Sequence, residues 1–116
     1  MTDDCIFCKI VAGDIPSQQL HQDELVTAFR DISPQAPVHV LIIPNQHFAS
    51  LAEMGDQQAD VLGRIVQVAG QLAEQEGIAD SGWRFISNVG PDGGQVVFHT
   101  HFHLLGGKSI GRMVAG

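Results

Sequence analysis

Tyrosine is absent from this sequence, cysteine occurs twice, and lysine and arginine together number six against thirteen acidic residues. Two cysteines are too few to cross-link a small secreted fold. The net charge of −7 excludes sequence-independent binding to nucleic acid, which needs clustered basic side chains. No apolar run approaches the ~20 residues of a membrane-spanning helix, and residues 1–4 are acidic where a secretory signal would be basic. We therefore expect a cytoplasmic protein that binds neither membranes nor nucleic acid.

The 116 residues are 44% apolar and contain no internal repeat or linker, which predicts one domain over residues 1–116. Apolar spacing predicts a short helix at 5–11 and a long amphipathic helix at about 56–76. Strands are expected at 20–22, 25–30, 38–43, 83–87 and 96–105. This order of elements predicts an α+β fold with a five-stranded, mainly antiparallel sheet. One long helix leaves a sheet face uncovered, so we expect a homodimer.

Three of the six histidines alternate with other residues in segment 98–103 (FHTHFH). Because alternate side chains of a strand share a face, His99, His101 and His103 are expected on one side, ~6.6 Å apart at their Cα atoms. That face has three interpretations: surface histidines, a metal site, or nucleophilic catalysis by imidazole. The glycine-rich loop at 88–95 (NVGPDGGQ) favours catalysis, because its backbone N–H groups can hold a phosphate beside a histidine nucleophile.

These residues resemble the signature of the histidine triad (HIT) superfamily, and the match extends over segment 99–105 (HTHFHLL). Flanking segments 92–95 (DGGQ), 104–107 (LLGG) and 29–39 (FRDISPQAPVH) resemble the Hint branch, the histidine triad nucleotide-binding proteins. The resemblance extends over nearly the whole chain, from about Cys5 to Gly107. It implies a HIT-like fold with one long and one short helix that forms homodimers.

The resemblance also implies an activity, that of a purine nucleoside phosphoramidate hydrolase. Such an enzyme converts adenosine 5′-phosphoramidate or AMP-lysine to AMP and an amine, and it needs no cofactor for catalysis. By similarity, His101 is the nucleophile that becomes adenylylated, and His103 donates the proton to the leaving group. His39 completes the proton relay, and His99 orients the nucleophile. Two alternatives stay open, a dinucleoside polyphosphate hydrolase and a nucleotide-binding regulatory dimer with vestigial catalysis.

Residues that bind the purine nucleotide follow from the same resemblance. Asp31 matches the acid that binds the ribose hydroxyls. The apolar walls around the base are matched by Ile6, Phe7, Ile10, Phe29, Ile32 and Leu41, and the phosphate and ribose contacts by Asn88, Gly94 and Gln95. Val96 stands where some relatives have a serine whose hydroxyl contacts the α-phosphate. Thr100 stands where a larger apolar residue is usual, and we expect it to affect packing only.

Cys5 and Cys8 form a CxxC pair, which in a cytoplasmic protein indicates metal or redox chemistry. Tetrahedral zinc needs two further ligands, and His47 and His99 are the candidates. Some HIT proteins with a CxxC pair at this position bind a structural zinc in this way, so the resemblance implies such a site here. The alternative, two inert buried thiols, stays open.

Overall fold

The computed structural model describes residues 4–113. In chain order the elements are helix α1 (Ile6–Ala12), strands β1 (Gln19–Gln22), β2 (Val26–Arg30) and β3 (Val38–Pro44), helix α2 (Ala59–Gln75), and strands β4 (Trp83–Ile86) and β5 (Phe102–Gly106). The strands lie in the order β1-β2-β3-β5-β4, and each neighbouring pair is antiparallel. The predicted α+β fold and order of elements are therefore confirmed. No helix within the described residues is both long and apolar enough to cross a membrane.

One face of the sheet packs against α2. The side chains that α2 buries recur at spacings of three and four, as an amphipathic helix requires, and they are Ile65, Val68, Ala69, Leu72 and Ala73. They contact alternate residues of the central strands, which include Val26, Ala28, Val40, Ile42 and Leu104. These aliphatic side chains are at most 2% exposed, so this layer is the main core of the domain.

The opposite face of the sheet carries α1, and it also carries the histidines of β3 and β5. Phe29, Leu41 and Ile43 point to this side and pack against Phe7 and Ile10 of the helix. Since side chains alternate along a strand, the face that packs Leu41 also presents its neighbour at i−2, which is a histidine. Helix α1 thus covers part of the sheet face that we expected to be uncovered.

The last strand is shorter than predicted, because β5 begins at Phe102 and residues 96–101 are not part of the sheet. Continuing the β3–β5 register would place Thr100 opposite Pro44, which has no N–H to donate to a ladder. The backbone N–H of Thr100 instead donates to the carbonyl of Phe48 at 2.7 Å, and its hydroxyl donates to the same oxygen at 3.0 Å. The chain before β5 is therefore held by the loop after β3.

This departure changes the predicted row of histidines. Only His103 lies in β5, so simple alternation orients only that ring. On the opposite side of this segment, Phe98 is half-exposed and Thr100 is buried. His99 and His101 take their directions from individual hydrogen bonds, which are described below.

Candidate active site

Two histidines are hydrogen-bonded to each other where β3 adjoins β5. His39 Nε2 lies 2.9 Å from His103 Nδ1. The backbone N–H of Gln35 donates to His39 Nδ1 at 3.0 Å, so the neutral His39 ring carries its proton on Nε2 and donates it to His103 Nδ1. His103 consequently carries its own proton on Nε2. The pair therefore presents one N–H donor, that of His103 Nε2.

Both rings of this pair are neutral near pH 7. Burial lowers the pKa of His39, an effect that the Asp31 carboxylate opposes from 3.4 Å away. Burial, together with the neighbouring His101 and His39, lowers the pKa of His103 to about 4. A neutral His103 donates a hydrogen bond from Nε2 into the cavity, and it can act as general acid only after it gains a second proton and as general base once it has given that proton up.

His101 has the opposite tautomer. Its Nδ1 lies 2.7 Å from the backbone carbonyl of His99, and because a carbonyl only accepts, Nδ1 carries the proton and Nε2 keeps a free lone pair. The ring is 6% exposed and is held edge-on between Phe7 and His103, each with its ring centroid 5.1 Å away. Ser87 Oγ donates to the His101 carbonyl at 2.8 Å and so fixes the backbone. His101 therefore presents a positioned lone pair on Nε2.

His101 and His103 both line a cavity of about 590 Å³. Ten of the eleven predicted nucleotide-binding residues line it as well: Ile6, Phe7, Ile10, Phe29, Asp31, Ile32, Leu41, Asn88, Gly94 and Val96. Ile32 is 97% exposed and so forms the rim of the cavity, not its wall. His39 and His99 do not line the cavity. They lie behind it, each hydrogen-bonded to one of the two rings that do.

Gln95 is the predicted contact residue that the structure does not bring to the cavity. Its side chain is buried, with Oε1 accepting from the Gly90 N–H at 2.9 Å. Its Nε2 donates to the carbonyls of Ala49 and Val97 at 2.7 and 3.0 Å. All of its polar atoms are therefore used inside the protein. Gln95 ties the glycine-rich loop and the histidine segment to the loop after β3, and it does not face a ligand.

The glycine-rich loop has a compact turn whose amides are mostly occupied. The N–H groups of Gly93, Gly94 and Gln95 donate to carbonyls of the same loop. A Cβ on Gly93 would lie 2.3 Å from the Val89 carbonyl oxygen, so only glycine fits there. The predicted phosphate nest therefore does not use these three amides. Within residues 4–113 the N–H groups of Val96 and Val97 donate no hydrogen bond, and both residues line the cavity.

Sequence reasoning missed part of the cavity wall. The missed residues are Ile15, Pro16, Ser17, Arg30, Ser33 and Val97. The end of α1 at Gly13, which has a φ of 83°, was visible as a helix stop, but no local signal says where the chain turns next. Arg30 carries a charge near the cavity, yet its guanidinium makes two hydrogen bonds to the Glu76 carboxylate, at 2.7 and 3.1 Å.

A second cluster contains the four predicted zinc ligands. One donor atom from each of Cys5, Cys8, His47 and His99 lies within 4.8 Å of every other. Cys5 Sγ and His47 Nδ1 are each 3.2 Å from His99 Nδ1, and Cys8 Sγ is 3.4 Å from His47 Nδ1. The two cysteines are free thiols on the first turn of α1, where Cys5 Sγ also accepts from the Cys8 N–H.

The chemistry of this donor set fits a tetrahedral zinc ion. His99 Nε2 donates to the Pro44 carbonyl at 2.9 Å, which leaves the lone pair of Nδ1 directed at the cluster. Burial is the main cause that lowers the pKa of His99 to about 4, so the ring is a neutral ligand. Burial and the neighbouring Cys5 raise the pKa of Cys8 to about 11. A bound cation would favour both thiolates and separate the two imidazole nitrogens.

Comparison with known proteins places this fold and site in a family. The family model described as "HIT domain" matches residues 12–110. The chain is 51% identical over 115 residues to the purine nucleoside phosphoramidase of Escherichia coli K12, covering 99% of this chain and 97% of the relative. This chain therefore belongs to the HIT family. The name of that relative is the activity that the Hint resemblance implies, so the predicted branch is also confirmed.

Two further proteins are similar over most of their length. A HIT family hydrolase from Clostridium thermocellum has a solved structure with a TM-score of 0.94 and 45% identity, covering 99% of this chain and all of that one. The 14 kDa zinc-binding protein of Brassica juncea is 44% identical over 109 residues, covering 92% of this chain and 96% of the relative. The predicted HIT-like fold is thereby confirmed.

Proposed function

We propose that this protein hydrolyses the P–N bond of purine nucleoside phosphoramidates, with His101 as the nucleophile. The observation that carries the proposal is the pair of opposite tautomers at the cavity. His101 offers a lone pair on Nε2, and His103 offers an N–H on Nε2, with their ring centroids 5.1 Å apart. A nucleophile and an acid side by side are what displacement at phosphorus needs.

The reaction proceeds in two half-reactions. In the first, His103 takes up a proton when the anionic substrate binds. His101 Nε2 then forms a bond to the α-phosphorus while the P–N bond breaks, and the amine leaves with the Nε2 proton of the His103 imidazolium, which becomes neutral. In the second, a water oxygen attacks the same phosphorus and returns a proton to His103, and AMP leaves His101 as a neutral imidazole. His39 takes part through its hydrogen bond to His103 Nδ1, which keeps that ring oriented.

The cavity supplies the remaining recognition. Its walls near α1 are apolar, which suits a purine base of either kind. Asp31 Oδ1 already accepts from the Ser33 N–H at 2.8 Å, and a carboxylate has further acceptor capacity for two ribose hydroxyls. The undonated amides of Val96 and Val97 replace the predicted glycine amides as partners for the phosphate.

The test is AMP release from adenosine 5′-phosphoramidate, in buffer without added divalent cations. Wild-type protein and a His21→Ala control are expected to release AMP, because His21 lies on β1 and does not line the cavity. His101→Ala is expected to release none while still binding AMP. Mass spectrometry of acid-quenched wild-type protein should show one adenylyl group on His101. Turnover by His101→Ala would refute the assignment of the nucleophile.

The same assay separates the alternatives. Diadenosine polyphosphate tested as a second substrate distinguishes a polyphosphate hydrolase, which would turn it over faster than the phosphoramidate. A regulatory dimer with vestigial catalysis would bind AMP and hydrolyse neither substrate. The similarity to a protein named for phosphoramidase activity, which covers 99% of this chain, favours the phosphoramidate hydrolase.

We further propose that Cys5, Cys8, His47 and His99 hold a structural zinc ion. When bound, zinc would cross-link α1 to the histidine segment, and no catalytic step passes through it. The donor geometry and the name of the Brassica relative support this site. Elemental analysis of untagged protein should give one zinc per chain, and Cys8→Ser should give none. Absence of stoichiometric zinc in the wild type would leave the inert-thiol alternative.

A homodimer in the cytoplasm completes the proposal. β4 is an edge strand, and its Trp83 is 38% exposed, so this edge is available to a second copy. Reduced thiols at the proposed zinc site suit the cytoplasm. Sedimentation analysis should give twice the chain mass of 12.5 kDa. A monomer at micromolar concentration would contradict the dimer.

A further inference from the structure

Helix α1 belongs to two sites at once. Cys5 and Cys8, at its start, contribute half of the zinc donors, while Ile6, Phe7 and Ile10 form one wall of the nucleotide cavity. A helix of seven residues is not stable alone, so its position depends on what it contacts. Both sites therefore depend on the placement of the same short element.

Few polar contacts hold α1 apart from the thiols. Within residues 4–113, and apart from the capping hydrogen bonds at the ends of the helix itself, the one other polar contact from α1 is the exposed hydrogen bond from Gln22 Nε2 to the Val11 carbonyl. The remaining attachment is apolar packing by Phe7 and Ile10. A metal that joins both thiols to His47 and His99 would thus add the strongest constraint on where α1 lies.

Phe7 connects the two sites directly. Its ring is edge-on to His99, with centroids 5.9 Å apart, and edge-on to His101, with centroids 5.1 Å apart. The backbone carbonyl of His99 in turn accepts a hydrogen bond from His101 Nδ1. A change at the metal ligand His99 therefore reaches both the cavity wall and the nucleophile through contacts seen in the structure.

We propose that zinc and nucleotide bind cooperatively, each raising the affinity of the protein for the other through α1 and Phe7. Zinc fixes α1 against the sheet, so the purine meets a wall that is already in place. A nucleotide that fills the cavity holds α1 and so pre-organises the two thiols for the metal. This inference rests on the proposed nucleotide cavity and zinc site, and it adds a coupling between them.

The test uses full-length, untagged protein with AMP as the nucleotide. We expect calorimetry to show AMP binding about tenfold tighter to the zinc-loaded than to the zinc-free chain, within the ~5–150-fold range common for coupled sites. Competition with a chromophoric chelator should show zinc binding tightened by the same factor when AMP is saturating, because coupling is reciprocal. Hydrogen exchange should show faster exchange of the 6–12 amides, and not of the α2 amides, after zinc removal.

Variants locate the route of coupling. Phe7→Leu should bind zinc normally but lose most of the coupling factor, whereas Lys9→Ala, on the exposed side of the same helix, should keep all of it. Cys8→Ser should bind AMP like the zinc-free wild type whether or not zinc is added.

The failures are distinguishable from one another. Equal AMP affinity with and without zinc would refute the coupling and leave the proposed enzyme intact. Absence of zinc binding, or of AMP binding to either form, would overturn the coupling together with the corresponding proposed site. A zinc-free chain that has lost its circular dichroism spectrum would also overturn it, because the coupling would then pass through global unfolding and not through α1.

Discussion

The buried amide of Gln95 allows a sharp test, because the family resemblance and the structure give it different roles. Replacing Gln95 with leucine removes the acceptor of the Gly90 N–H and the donor to the carbonyls of Ala49 and Val97. A buried group left without its partner costs about 1–3 kcal/mol. Three groups are affected, but those in the loop can rotate toward water, so we expect a loss of about 3 kcal/mol in the free energy of unfolding.

Chemical denaturation at saturating zinc measures this loss. Gln71→Leu is the matched control, because it makes the same change on the exposed side of α2 and should alter stability by less than ~0.5 kcal/mol. Gln95→Glu should be at least as destabilising as Gln95→Leu, because it keeps the acceptor but buries a carboxylate oxygen against the carbonyls of Ala49 and Val97. The rate of AMP release should fall most in the variant that loses the most stability, because the 88–95 loop lies beside the cavity.

The opposite pattern would refute this reasoning. If Gln95→Leu were as stable as Gln71→Leu while its AMP affinity fell at least tenfold, the side chain would be a direct ligand contact. The structural role that we assign to Gln95 would then be wrong, and the ligand contact that the family resemblance implies would be right.

Two further predictions concern His103 and Val96. The pKa of His103 is lowered from 6.5 to about 4, so above pH 6.5 its ring is neutral in both the folded and unfolded states, whereas between pH 6.5 and 4 only the unfolded state gains a proton. The free energy of unfolding should therefore fall as pH decreases through that window, by about 2 kcal/mol for a partly solvated ring. Urea titrations at several pH values should show a smaller fall for His103→Asn. If the variant and the wild type lost the same free energy of unfolding, the assignment to His103 would be wrong. Val96→Ser introduces a hydroxyl at an 83%-exposed position that lines the cavity, and a hydrogen bond to a charged group is worth about 1.5–3 kcal/mol. We therefore expect kcat/KM to rise about tenfold, whereas the control Val89→Ser, which lies outside the cavity, should leave it unchanged. An unchanged kcat/KM for Val96→Ser would mean that no phosphate oxygen lies near this side chain.

Much of the fold was predictable, because its signals are local. The apolar stripe of α2 and the all-apolar run of β3 depend on spacings of a few residues, and both elements lie where those spacings put them. The composition of the Cys/His cluster was predictable for another reason, since a CxxC pair in a chain with no other cysteine restricts the choice of partners. Local patterns also placed the end of α1, although not the path that follows it.

Two of the errors came from hydrogen bonds between distant residues. Alternating residues at 96–101 look like a strand, and nothing within that segment reveals that Pro44 cannot pair with it or that the Phe48 carbonyl takes its place. Gln95 likewise bonds to Ala49, 46 positions earlier. A period of two identifies an extended segment, but the partner that satisfies its backbone decides whether it joins the sheet.

The three histidines of the motif have different chemistry because each ring has a different hydrogen-bond partner. A carbonyl on Nε2 turns the Nδ1 lone pair of His99 toward the two thiols, whereas a carbonyl on Nδ1 leaves the Nε2 lone pair of His101 free in the cavity. A donor on Nδ1 leaves His103 with a proton to give from Nε2. A regular strand would have engaged the His99 carbonyl, or turned it away, in a backbone ladder. Because residues 96–101 leave the sheet, that carbonyl is available to set the tautomer of His101.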